Sequence, residues 1–225
     1  MIKEVIITED GSHTLCVEEI DECYHSTYGA VQESTHIFID SGLRAFLSVC
    51  ERPACEHEIR VLEIGLGTGL NAYLTLLEAE NNNKYIHYTS LELYPLSEVE
   101  ALRLNYPEIL NRDRGLFEEI HRSPWGEDTK ISSFFTLYKI KADFTEYELQ
   151  EQYDVIYFDA FSPEKQPEMW SEACFNKIFA HSAAGAVLTT YCAKGAVRRA
   201  MQSAGFVIER LSGPPGKREM LRASR

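Results

Sequence analysis

The chain has 225 residues, of which 44% are hydrophobic and 25% charged, with a formal net charge of −13. That apolar content can bury one domain with a small appendage, and the acidic balance argues against indiscriminate nucleic-acid binding. No apolar run of about 18 residues and no cleavable leader pattern is seen, so neither a membrane span nor a signal peptide is expected, and a cytoplasmic protein is.

Residues 1–56 read as a small N-terminal extension and 57–225 as the main domain. Short strands are expected at 14–17 and 37–40, with irregular chain over 21–34 and a helix over 43–51. The run Ile59-Arg-Val-Leu-Glu-Ile64 then enters three alternating glycines, Gly65, Gly67 and Gly69, and a helix is expected over 70–80. A strand-to-helix turn without Cβ atoms lets the backbone approach a ligand, and the helix start offers free N–H groups. The spacing is neither a dinucleotide fingerprint nor a P-loop. Glu63 and Asn71 flank this turn.

A second strand over 85–93 carries Glu92, twenty-three residues past Gly69, where an acid can take both ribose hydroxyls of an adenosine. Pro95 is expected to open a helix running to about 105, and 115–136 to be an irregular insertion. A third strand ends in Asp143. The run Tyr153-Asp-Val-Ile-Tyr-Phe158 ends in Asp159 and is then broken by Pro163 and Pro167, which puts Asp159 at a strand's carboxyl end, where open α/β sheets bind ligands. A helix over 170–181, a strand over 185–191, a helix over 193–203 and a closing antiparallel hairpin over 206–211 and 219–223 complete a doubly wound α/β sheet.

Six cysteines (Cys16, Cys23, Cys50, Cys55, Cys174, Cys192) include no C-x-x-C, and seven histidines no H-x-x-x-H, so no metal site is expected and the thiols are read as reduced. From residue 185 on, eight Lys or Arg stand against Glu209 and Glu219, so a local basic face is possible on an acidic body. A solvated basic surface explains the same charges.

The glycine turn with Glu92 resembles the cofactor site of class I S-adenosylmethionine methyltransferases. Nearly the whole chain is similar to the methyltransferase domain of the MnmC family and its stand-alone MnmD form. The shared segments include 21–26, 33–38, 65–71, 90–96, 121–125, 216–221 and above all the aromatic, double-proline loop 159–170. This resemblance implies S-adenosyl-L-methionine as cofactor, held by Glu63, Gly65, Gly67, Gly69, Asn71, Glu92 and Asp143. It implies methylation of the 5-aminomethyl group of a wobble (2-thio)uridine in tRNA, with Asp159 meeting the amine. The FAD-dependent oxidoreductase domain of bifunctional members would follow beyond Arg225, so methyl transfer alone is expected, with separate enzymes supplying the amine.

Phe161 is a candidate for stacking on the base, with Tyr24, Trp125 and Tyr191 as rim aromatics. Lys165, Lys217 and Arg218, with Lys194, Arg198 and Arg199, are candidate phosphate contacts. A monomer is expected. A methyltransferase or aminopropyltransferase of small amines is the alternative enzyme, and a degenerate Rossmann module that binds RNA or protein the non-enzyme one. The intact acids and glycines argue against the latter.

Overall fold

The computed structural model describes residues 3–49 and 58–225. The chain opens with β1 (Lys3–Ile7), β2 (His13–Val17) and β3 (Glu22–Cys23), which form a small antiparallel sheet. Cys16 and Cys23 face each other across β2 and β3 and are joined by a disulfide, so the expectation of reduced thiols fails for this pair. Cross-strand register brought them together, and their sequence spacing does not announce it. Cys174 and Cys192 are free and buried, while Cys50 and Cys55 lie outside the described residues. So does the proposed 56/57 boundary.

The strand expected at 37–40 is instead the middle of a helical stretch: α1 (Ala30–Ser34), a π-wound segment (Thr35–Arg44) and α2 (Ala45–Val49). A short apolar run fits a buried helix as well as a strand. Here Ile37, Phe38, Ile39 and Leu43 are all buried against the main sheet. Gly42 allows the close approach, since an added Cβ would lie 3.2 Å from the Thr189 hydroxyl and 3.3 Å from the Tyr157 ring.

The main elements follow as β4 (Ile59–Ile64), α3 (Leu70–Asn82), β5 (Ile86–Glu92), α4 (Glu98–Ala101), α5 (Tyr106–Leu110), α6 (Arg114–Arg122), β6 (Asp128–Lys130), β7 (Phe135–Lys141), β8 (Tyr153–Phe158), α7 (Glu172–Ala180), β9 (Ser182–Thr190), α8 (Gly195–Ser203), β10 (Val207–Ser212) and β11 (Glu219–Ser224). The sheet order is β10-β11-β9-β8-β4-β5-β7-β6. Strands β4, β5, β7, β8 and β9 run parallel, and β11 inserts antiparallel to both β9 and β10. This is the doubly wound class with the closing hairpin that the apolar runs indicated.

Two expectations need correction. The helix expected from Pro95 shrinks to α4, which begins only at Glu98 because Ser97 and Glu100 form a reciprocal capping box. The region 115–136 is not irregular: Asp113 caps α6 by accepting from the Gly115 N–H, and β6 pairs with β7.

Alternate residues of the buried strands feed two cores, as parallel strands covered on both faces require. Ile59 and Val61 join Tyr73, Tyr88 and Tyr157 on the α3 side, while Leu62 and Ile64 join Phe158, Phe175 and Met201 on the α7 and α8 side. By this alternation Glu63 faces α3. Edge strand β10 presents Glu209 and Arg210 to solvent, charges that discourage pairing with another chain. Among the described residues, no helix is long and apolar enough to cross a membrane.

Candidate functional site

The sheet order reverses between β4 and β8, and the chains leaving these strands form the floor of a cleft of about 700 Å³. Open α/β sheets bind ligands at such a switch point. The two exits nearly touch: a Cβ on Gly65, whose φ is +95°, would lie 2.6 Å from the Asp159 carbonyl oxygen. Only glycine permits both that conformation and that approach. Gly67 similarly makes room for the Tyr24 ring.

On one side of the cleft stand the turn from Gly65 to Thr68, then Glu92 and Asp143. The Glu92 carboxylate accepts from Gly67 N–H at 3.0 Å and Tyr94 N–H at 2.7 Å, which ties the end of β5 to the turn after β4. Asp143 Oδ1 accepts from both the N–H and the hydroxyl of Thr145. Thr68 is buried, and its hydroxyl is 2.7 Å from His25 Nε2. Burial lowers the His25 pKa to about 4, so this contact is made by a neutral imidazole at pH 7.

On the other side Asp159 meets Tyr24, Phe161, Tyr191, Glu33 and Lys217. Burial pushes the Asp159 pKa up to about 7, an effect opposed by a 2.9 Å hydrogen bond from Asn71 Nδ2 to Asp159 Oδ2; the Glu33 charge raises it further and Lys217 lowers it. Tyr24 and Phe161 pack edge to face at 5.1 Å. The Phe161 loop is braced from three directions. Ser162 donates from its N–H and hydroxyl to Glu22, Trp170 Nε1 donates to the Phe161 carbonyl, and the Tyr191 hydroxyl donates to the Ala160 carbonyl.

Several sequence candidates stand elsewhere. Glu63 is fully buried beneath the cleft and does not line it, and neither does Gly69, which packs against His121 at the start of α3. Trp125 is away from the cleft, 4.9 Å from the Lys139 ammonium. Arg218 is exposed and outside the lining, as are Lys194 and Arg199, and the half-buried Arg198 also lies outside it. Lys194 pairs with Glu164. Lys217 turns into the cleft, where it lies 2.6 Å from Glu33 and 4.0 Å from the Tyr191 ring centroid and stays partly open to solvent. Lys165 sits exposed on the rim. Glu22 and Glu33 were not anticipated as part of the site. They lie in sequence blocks that carry the family resemblance, but only the fold brings them to the Asp159 loop.

Residues 124–225 match a family model described as S-adenosyl-L-methionine-dependent methyltransferase. A tRNA 5-methylaminomethyl-2-thiouridine biosynthesis bifunctional protein MnmC of Delftia acidovorans is 30% identical over 216 residues, which is 89% of this chain and 32% of that protein. The MnmC of Idiomarina loihiensis is 31% identical over 218 residues, 89% of this chain and 35% of its own. The chain thus spans about a third of the length of these curated relatives. The crystal structure of MNMC2 from Aquifex aeolicus superposes with a TM-score of 0.77 at 27% identity, covering 99% of this chain and 70% of that one. A spermidine synthase from Thermotoga maritima superposes at 0.63 with 13% identity over 99% of this chain and 68% of its own, a likeness of fold alone.

Proposed function

We propose that this chain is an S-adenosyl-L-methionine-dependent methyltransferase that methylates the 5-aminomethyl group of a wobble (2-thio)uridine in tRNA, giving 5-methylaminomethyl-(2-thio)uridine. The single observation that carries the reading to this amine is Asp159, a carboxyl at the mouth of β8 whose proton affinity burial has raised to about 7. The residues on the glycine side fit the cofactor. Gly65 and Gly67, both of positive φ, leave a backbone cradle, and Glu92 and Asp143 line the same side of the cleft as candidate partners of the ribose hydroxyls and the adenine amino group. When bound, the cofactor supplies an electrophilic methyl group.

An amine attacks that methyl only when unprotonated and in line, so positioning supplies most of the acceleration. Asp159 accepts the proton and directs the lone pair, and a pKa of about 7 makes it a far better base than an ordinary aspartate. Asn71 holds one carboxylate oxygen and leaves the other for the amine. Tyr24, Phe161 and Tyr191 offer aromatic faces to a splayed base, the usual way a single-stranded nucleotide is read. Lys165 on the rim, with Arg198 and Arg199 on α8, supplies positive charge for the anticodon phosphates.

The test is methyl transfer from labelled S-adenosylmethionine to tRNA carrying 5-aminomethyluridine, with polyamines and unmodified tRNA in parallel. Label in the wobble nucleoside alone supports the reading. Label in the polyamines alone would replace it with a small-amine transferase.

A further inference from the structure

Beneath the cleft, three polar atoms have no hydrogen-bond partner: Glu63 Oε1, Asn71 Oδ1 and the Tyr88 hydroxyl. All three residues are buried, Glu63 and Tyr88 completely. Unmade hydrogen bonds of this kind each cost about 1–3 kcal/mol, so a cluster of three calls for an explanation. The groups lie close enough for Glu63 to hydrogen-bond Asn71 and Tyr88, and Glu63 Oε2 already accepts from the Ser90 hydroxyl at 2.7 Å. Two of the three orphans, on neighbouring residues, are acceptors, and a pair of acceptors in contact repels unless a proton stands between them.

We propose that Glu63 is a positioning residue that carries a proton on Oε1 and donates it to Asn71 Oδ1, thereby fixing the Asn71 amide so that its Nδ2 donates to Asp159. One proton pairs two of the three orphans. Glu63 donates to Asn71 Oδ1, and Asn71 Nδ2 donates to Asp159 Oδ2 at 2.9 Å. The inverse arrangement would flip the amide, ionise Glu63 and put the proton on Asp159. It places the charge on the more deeply buried carboxyl, whereas Asp159 opens to the cleft and lies near the Lys217 ammonium. Charge belongs where solvent and a cation can stabilise it. Burial raises the Glu63 pKa well above the ordinary range and the Asp159 charge adds to that, against the lowering effect of the donors around it, Ser90 first and then Asn71 and Tyr88.

The groups facing Glu63 are Ser90 and Tyr88 from β5, Asn71 from α3, and Tyr157 and Asp159 from β8 and its exit. Of the titratable ones, burial holds both tyrosines well above neutrality, so Asp159 alone titrates near pH 7. The glycine-turn acid thus acts through Asn71 on the reacting carboxyl and not on the cofactor. This role presupposes that Asp159 meets the substrate amine, but the protonation itself can be read without any substrate.

Infrared spectra of the ligand-free protein at about pH 9, where Asp159 is ionised, should show the C=O stretch of a protonated carboxylic acid. The band should persist in Asp159→Asn and vanish in Glu63→Gln. Absence of the band in the wild type, or its survival in Glu63→Gln, overturns the proposal. In kinetics, Glu63→Gln can still donate to Asn71, so its turnover should stay within about twofold of wild type with an unchanged acid limb. Glu63→Met cannot, so turnover should fall about tenfold and the limb should move to higher pH as Asp159 loses its oriented donor. S-adenosylhomocysteine affinity should be the same in all three proteins. A Glu63→Gln variant that binds this ligand about tenfold more weakly would mean that an ionised Glu63 serves the cofactor instead.

Discussion

The two sides of the cleft use the same residue chemistry in opposite ways. Glu92 accepts two backbone N–H groups from the turns around it, and Asp143 accepts two donors from Thr145, so each carboxylate has a preset orientation. Asp159 receives one side-chain amide and is otherwise buried among aromatic rings, which lifts its proton affinity to about neutrality. On the proposed reading, the number of donors separates an acid that holds a ligand from one that exchanges a proton. Binding and chemistry should therefore respond to different substitutions.

The largest effect is expected on the Asp159 side. Asp159→Ala should lower turnover by about 100-fold or more, the scale of a positioned acid–base group, while calorimetry finds S-adenosylhomocysteine binding intact. The reverse pattern is expected for Glu92→Ala, which frees the Gly67 N–H and, on the proposed reading, removes charged hydrogen bonds to the ribose. Affinity for S-adenosylmethionine and S-adenosylhomocysteine should weaken by about 1.5–3 kcal/mol, with single-turnover rates at saturating cofactor close to wild type. A Glu92→Ala variant that loses turnover and keeps affinity would erase the division between the two sides.

Smaller effects sharpen the boundary. Phe161→Leu keeps an apolar side chain and removes a stacking face, so the KM for tRNA should rise by about 1 kcal/mol, or roughly fivefold, with cofactor affinity unchanged. Weaker still is the effect of reversing Arg198 and Arg199 to Glu. If both meet phosphates, the slope of log binding constant against log salt should flatten by roughly 0.7–0.9 per contact. An unaltered slope in tRNA titrations at two ionic strengths would move the RNA footprint to another face.

Much of this division was legible in the sequence because each feature is local. The apolar runs 59–64 and 153–158 are followed at once by glycines or by Asp159 and proline, so chain direction alone puts those residues at strand ends. The hairpin over 206–223 is marked by its Gly-Pro-Pro-Gly-Lys loop. What failed depends on contacts distant in sequence. The segment 37–40, inside the helical stretch 35–44, reads as a strand because its burial against β8 and β9 is invisible locally. Trp125 reads as a rim aromatic because its partner, Lys139, lies on the neighbouring β7, and nothing near Lys217 in sequence reveals its ion pair with Glu33 in the cleft. The Cys16–Cys23 pair likewise needed the register of β2 and β3.

The central claim is that Asp159 is the proton-accepting group beside the methyl-accepting amine, and the pH dependence of single-turnover methylation tests it most directly. A carboxyl with a pKa raised to about 7 is protonated, and unable to accept, below that pH. With tRNA carrying 5-aminomethyluridine at saturating cofactor, the wild-type rate should climb as pH rises to about 7, and Asp159→Asn should lose that limb along with most of its rate. An Asp159→Asn variant that keeps the same limb and a near-wild-type plateau, with S-adenosylhomocysteine binding intact, would contradict the account.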